Sequence, residues 1–205
     1  MAEPSGYAVP AATHRVEQEI SRSRFITTVA RASTVDEAVA CVRQVSAEFA
    51  DATHNCWAYV VGPPGDTARI GMSDDGEPHG TAGRPMLNAL LHSGVGDVVA
   101  VVTRYYGGTK LGTGGLVRAY GGGVQQALAG LPLAERIEYV GMCLVTGYAS
   151  LSTLLQLFPI YGVETLGQVF DADVRLDLRV PQPRVQAFRT AVANATSGQA
   201  LLTSN

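Results

Sequence analysis

The stretch VVAVVTRYYGGTKLGTGG, residues 98–115, passes from an unbroken apolar segment through five glycines and one lysine into a helical pattern. A buried strand, a glycine-rich turn and a helix in that order aim backbone N–H groups and a helix N-terminus at one small volume. Lys110 stands out further as the single lysine among 15 basic residues. The loop is not a P-loop, since Leu111 follows Lys110, and it lacks the G-x-G-x-x-G order of a dinucleotide site. Anion binding and a tight structural turn both remain open, because glycine serves φ > 0 and close packing as readily as it serves ligands.

Downstream, residues 115–129 form a helix with Leu116, Tyr120, Val124, Ala127 and Leu128 on its buried face. Gly121, Gly122 and Gly123 interrupt it, each less favourable than alanine by about 1 kcal/mol. Gly123 falls beside the buried face. Gly121 and Gly122 fall near Arg118 and Gln125, leaving a bare surface for a foreign backbone or for the protein's own second domain. Arg104, Lys110 and Arg118 are expected to line one groove, with Tyr105 and Tyr106 nearby and one of these two rings in the core. Basic residues interleaved with aromatics suit single-stranded nucleic acid.

Upstream, SDDGEPHGTAGRP (73–85) gathers Asp74, Asp75 and Glu77 beside His79 in a glycine- and proline-rich turn. Such a set can hold a divalent cation or carry acid–base chemistry, although carboxylates in turns mostly cap or face solvent. Thr81 is placed to cap the helix that Pro85 pre-organises. His54 and Cys56, in THNCW (53–57), share a strand face, so a Cys–His nucleophile pair competes with a structural histidine and a buried thiol. The structural reading is preferred. No metal and no cofactor is expected.

The remaining pattern supplies the frame. The N-terminal MAEPSGYAVP reads as a frayed arm and not a signal peptide. Residues 16–30 read as a strand or hairpin turning at 21–23. A helix follows Thr34, with Glu37 completing a capping box and Val35, Val39, Val42, Val45 and Phe49 as its stripe. Strands are expected at 56–61, 68–72 and 97–103, with a helix around Pro85. Leu131-Pro132-Leu133 marks a boundary, giving domains 1–131 and 132–205. Beyond it, strand 136–146, helix 150–158, strands 163–170 and 174–180, helix 183–193 and strand 199–202 follow the βαββαβ order of a ferredoxin-like split motif.

Composition narrows the function. With 46% apolar residues in 205, real cores are affordable. The net charge of −3 gives no sign of a strongly electrostatic nucleic-acid binder, and leaves room for a local basic patch. Cys41, Cys56 and Cys143 form neither a disulfide framework nor a zinc set, which points to a reducing cytoplasm. No apolar run reaches the roughly 18–20 residues of a membrane span.

SRFI (23–26), ATHNCWAY (52–59), SDDGEPHGTAGRP (73–85) and VVTRYYGGTKLGTGGLVRAY (101–120) together resemble the YigZ/IMPACT family. The resemblance implies an α+β protein: an N-terminal domain like the second domain of a small-subunit ribosomal protein, then a ferredoxin-like domain as in bacterial members. Eukaryotic members of the family regulate translation, opposing an amino-acid-starvation kinase by competing for its activator. Those members carry an additional N-terminal interaction domain that this chain is expected to lack, and the triple glycine departs from the small polar or alanine residues expected at 121–123. A general link to translation carries over better than that specific role.

Two readings follow. The first is a non-enzymatic, translation-associated regulator that binds RNA, the ribosome or a translation-regulatory protein. Its binding face would comprise Arg104, Tyr105, Tyr106, Gly107, Gly108, Lys110, Gly112, Gly114, Gly115 and Arg118. A secondary face would comprise His54, Asp74, Asp75, Gly76, Glu77, Pro78, Thr81 and Gly83. The second is an enzyme acting on a phosphorylated or anionic small molecule, with the glycine loop as cradle and the acidic turn holding a cation. No catalytic constellation is complete, which favours the first.

Overall fold

Apolar patterning of two kinds, continuous runs and strict alternation, builds two sheets of different character. A computed structural model of the chain describes residues 6–204, and divides into a larger unit over Tyr7–Arg136 and a second unit after it. Along the first lie β1 (Gly6–Pro10), β2 (His14–Ile20), β3 (Ser23–Arg31), α1 (Val35–Glu48), β4 (His54–Val60), β5 (Ile70–Ser73), α2 (Gly83–Leu91), β6 (Val98–Tyr105), α3 (Thr113–Ala129) and β7 (Leu133–Ile137).

The main sheet has the antiparallel order β2-β3-β6-β4-β5. Its centre, β3 and β6, is buried on both faces, which explains why Val98–Thr103 reads as a continuous apolar run rather than an alternation. Helices α2 and α3 cover one face around Phe25, Val29, Met86, Leu90, Tyr120 and Val124. Helix α1 covers part of the other, over Ala32, Ala38, Tyr59 and Val99. The expected hairpin is β2–β3, turning through Ser21 and Arg22 at positive φ. At α1, Thr34 Oγ1 accepts the Glu37 N–H at 3.1 Å. Glu37 reaches back to the amide of Ser33 rather than that of Thr34, at 2.7 Å.

Two expectations fail here. Residues 6–10 of the supposed frayed arm form β1, which pairs with β7 and buries Val9 completely; residues 1–5 lie outside the described chain. The single strand expected at 136–146 is broken at Glu138, because 133–137 is drawn to β1. Asp97 anchors this corner. Buried at a left-handed φ of 48°, it accepts the Gly62 N–H at 2.9 Å and the Tyr7 hydroxyl at 3.0 Å, and forms an ion pair with Arg136.

The second unit runs β8 (Tyr139–Thr146), α4 (Tyr148–Tyr161), β9 (Glu164–Phe170), β10 (Val174–Pro181), a short 3₁₀ turn, α5 (Val185–Thr196) and β11 (Leu201–Ser204). Its antiparallel sheet has the order β11-β8-β10-β9. The expected alternation in β10 is present: Val174, Leu176, Leu178 and Val180 are buried with Leu144, Leu154 and Phe188, while Arg175 and Arg179 face outward. Among the described residues no helix is long and apolar enough to cross a membrane.

Candidate functional site: a cavity between the glycine loop and the acidic turn

The acidic turn is held together by its own carboxylates. Asp74 accepts three backbone N–H groups, from Gly80 at 2.7 Å, Ala82 at 3.0 Å and Gly83 at 2.8 Å. It thereby caps α2, whose own N-cap residue, Ala82, supplies no side chain. Burial alone would raise the Asp74 carboxyl, but the three donors outweigh it and hold the group below the usual carboxylate range. Thr81, expected to cap, instead donates its hydroxyl to the Pro78 carbonyl at 2.6 Å. Gly83 permits the closure, since a Cβ there would lie 3.0 Å from the Ser73 backbone.

Asp75 sits at a left-handed φ of 42°. Its Oδ2 accepts the Asn55 N–H at 2.6 Å, and its carbonyl lies 2.7 Å from His54 Nδ1. Gly76 follows at φ 84°, packed against the His54 ring. Glu77 turns inward and is 8% exposed. Its Oε1 accepts the Arg104 guanidinium at 2.6 Å and the Tyr120 hydroxyl at 2.7 Å. All three carboxylates are therefore engaged by protein donors. The reading in which this turn holds a cation loses its ligands, and no cluster of three His, Cys, Asp or Glu side chains among the described residues is disposed to take one.

The Cys–His pair also fails to form. The Cys56 thiol donates to the Asp74 carbonyl at 2.9 Å, while His54 is turned toward Asp75. Burial pushes the Cys56 thiol up to about 12, far from a nucleophilic thiolate.

The glycine loop departs from expectation at its first residue. Arg104, expected to line a groove with Lys110 and Arg118, lines the cavity with Lys110 from a buried position, 5% exposed. Besides Glu77 it contacts Ser23 Oγ at 3.2 Å, and its guanidinium carbon lies 5.4 Å and 5.3 Å from the Phe25 and Tyr106 ring centres. A strand-end arginine facing a buried glutamate is drawn inward, because neither charge is tolerable there alone. The two tyrosines do take opposite faces, yet neither ring is in the core. Tyr105 is half-buried, its hydroxyl bound to Asp51 at 2.7 Å, and Tyr106 is 45% exposed.

Gly107 is demanded by packing, since a Cβ would strike the Arg22 carbonyl. Gly108 and Gly112 are demanded by φ values of 83° and 73°. Gly115 packs on Leu111, and Gly114 meets nothing. Lys110 and Arg118 are exposed.

The two motifs meet. A cavity of about 490 Å³ lies between them, lined by His54, Glu77, Pro78, Arg104, Tyr106, Lys110, Gly112 and Thr113 among others. Helix α3 opens onto it: Gly112 provides no side-chain cap, and the first intrahelical bond runs from Leu116 N–H to Gly112 C=O. The N–H groups of 113–115 are thus turned outward at the positive end of the helix dipole. The buried Arg104–Glu77 pair cancels its own charge, so Lys110 and the helix end set the local sign. Arg118 does not share this cavity; it joins Lys110 in an adjacent hollow of about 340 Å³. Sequence reasoning missed Tyr120, Ser23 and Thr53 as parts of the site. SRFI carried Ser23, while nothing local marked the Tyr120 hydroxyl as Glu77's second donor.

Residues 21–128 match the Impact N-terminal domain family, and residues 144–199 match a domain of unknown function (DUF1949). The chain is 43% identical over 196 residues to an IMPACT family member of Haemophilus influenzae, covering 96% of this chain and 95% of that one. It is 44% identical over 192 residues to the IMPACT family member YigZ of Escherichia coli, covering 94% of each. A solved structure, described as the crystal structure of a hypothetical protein, matches with a TM-score of 0.70 at 42% identity, covering 98% of this chain and 97% of that one. With its Impact N-terminal domain spanning the glycine loop, the acidic turn and the cavity between them, the chain belongs to the IMPACT family.

Proposed function

We propose that this protein is a non-enzymatic, translation-associated regulator that binds RNA through the cavity between its glycine loop and acidic turn. The observation that carries the reading is a convergence. The uncapped N-terminus of α3, Lys110 and the exposed ring of Tyr106 share one cavity whose carboxylate, Glu77, is already neutralised by Arg104. Phosphate suits the helix end and the lysine, and an unpaired base suits the tyrosine. Family membership supports the link to translation. The free cysteines support a cytoplasmic setting. The order β11-β8-β10-β9 supports a ferredoxin-like reading of 132–205, beside a ribosomal-protein-like domain over 1–131.

The test is fluorescence anisotropy of labelled single-stranded RNA across a salt series. Lys110→Ala is expected to weaken binding and to remove roughly 0.7 units of log–log salt slope for one lost phosphate contact. Tyr106→Ala is expected to weaken binding with the slope intact. Salt-independent binding, or a slope unmoved by Lys110→Ala, would count against the reading.

A further inference from the structure

We infer that the RNA path does not end at the glycine-loop cavity but continues along the outer face of α3, which serves as the bed of a single strand. The inference rests on the RNA reading above. Three hollows succeed one another along this helix. The glycine-loop cavity shares Lys110 and Leu111 with the second hollow, which adds Gly115 and Arg118. The second shares Arg118 with a third of about 720 Å³, set between α2 and α3 beside Gly121 and Gly122. Each exposed cation stands where two hollows meet, as successive phosphates of one strand require. At 1.5 Å per residue α3 offers a bed roughly 25 Å long.

Charge favours a polyanion. The ionisable residues lining the second and third hollows are Lys110, Arg118 and His92, with no carboxylate among them. In the first, Glu77 is held by Arg104 and Tyr120. Tyr106 at the head of the path offers a stacking face that only an unpaired base can use.

The glycines point the same way. Mid-helix glycine is among the least favourable of residues, so each needs a reason. Gly123 has one, since a Cβ would lie 2.7 Å from Thr27 Oγ1. Gly121 backs onto Pro85 at 3.5 Å. Gly122 has none among the described residues: a Cβ there meets nothing within 4 Å, and its φ is not positive. It leaves bare backbone on the third hollow of the proposed path, where a sugar-phosphate chain gains its closest approach. An independent sign lies at the head, where Arg104 lines the cavity with a side chain 6% exposed and an Nε–H that has no hydrogen-bond partner among the described residues.

The experiment is competition by unlabelled tri- and decauridylate against a labelled decauridylate, for the full chain and two variants. The decamer is expected to bind at least about tenfold more tightly than the trimer, and more tightly than a duplex of equal length. Gly122→Gln is expected to leave trimer affinity unchanged and weaken the decamer about tenfold, with the melting temperature held or raised because glutamine is the better helix former. Arg118→Gln, an exposed replacement, is expected to flatten the salt dependence of the decamer alone.

A decamer no tighter than a trimer, or a decamer indifferent to both variants, overturns the path while leaving the cavity's RNA binding in place. Binding of neither oligomer overturns the path together with the RNA reading, and leaves this face to a protein partner.

Discussion

Tyr120 and Glu77, 43 residues apart in the chain, are joined by a buried hydrogen bond of 2.7 Å from the tyrosine hydroxyl to the carboxylate. The same Oε1 receives Arg104, so helix α3, the acidic turn and the end of β6 are tied at one oxygen. Tyr120→Phe removes one donor and is expected to cost about 1–3 kcal/mol. Arg104→Met strands a buried carboxylate and is expected to cost about 3–5 kcal/mol. Urea unfolding of both variants checks the order; equal, small losses would show that the pair is not buried as described.

Asp74→Asn tests the long-range cap. Loss of the charged acceptor is expected to lower stability at neutral pH by about 1–2 kcal/mol. The Asp74 carboxyl is held below its ordinary range in the folded protein. Its contribution is therefore fully present above the unfolded carboxylate value and is lost as pH falls through the folded one. Melting temperatures of wild type and variant should converge between neutral and strongly acidic pH. A constant gap would contradict the assignment.

Cys56 should be inert while the protein is folded. With its thiol pushed up to about 12 by burial, alkylation by iodoacetamide at mildly alkaline pH is expected only after denaturant is added. Mass spectrometry of the peptide containing Cys56 reads the result.

The three adjacent glycines of α3 should behave differently. Gly123→Ala forces a Cβ to 2.7 Å from Thr27 Oγ1 and is expected to destabilise. Gly122→Ala meets open space and is expected to stabilise by about 1 kcal/mol. Thermal unfolding of the pair settles the sign of each.

Periodicity carried the frame. The apolar run at 98–103, the alternation in β10 and the Thr34 cap were all legible, because each is decided within a few residues. The site was legible as residue types but not as roles. Arg104 beside a glycine loop reads as surface charge until Glu77, 27 residues upstream, is seen to pull it inward. Asp74 reads as one solvated carboxylate among three until the chain folds back to bring it the amides of 80, 82 and 83. Strand β1 escaped notice because its partner, β7, lies on the far side of the unit's sequence. That the glycine loop and the acidic turn line one cavity was not legible either, since only tertiary contact brings them together.

The Asp97 corner has a mechanical consequence. Tyr7, near the entry of the first unit, and Arg136, at its exit, converge on one carboxylate, and the strands that carry them pair with each other. Tension entering along the chain beyond Arg136 would load this clasp and the β1–β7 ladder first. Because Asp97 immediately precedes β6, the clasp would pass that load to the centre of the five-stranded sheet, away from the cavity at the other end of the strand.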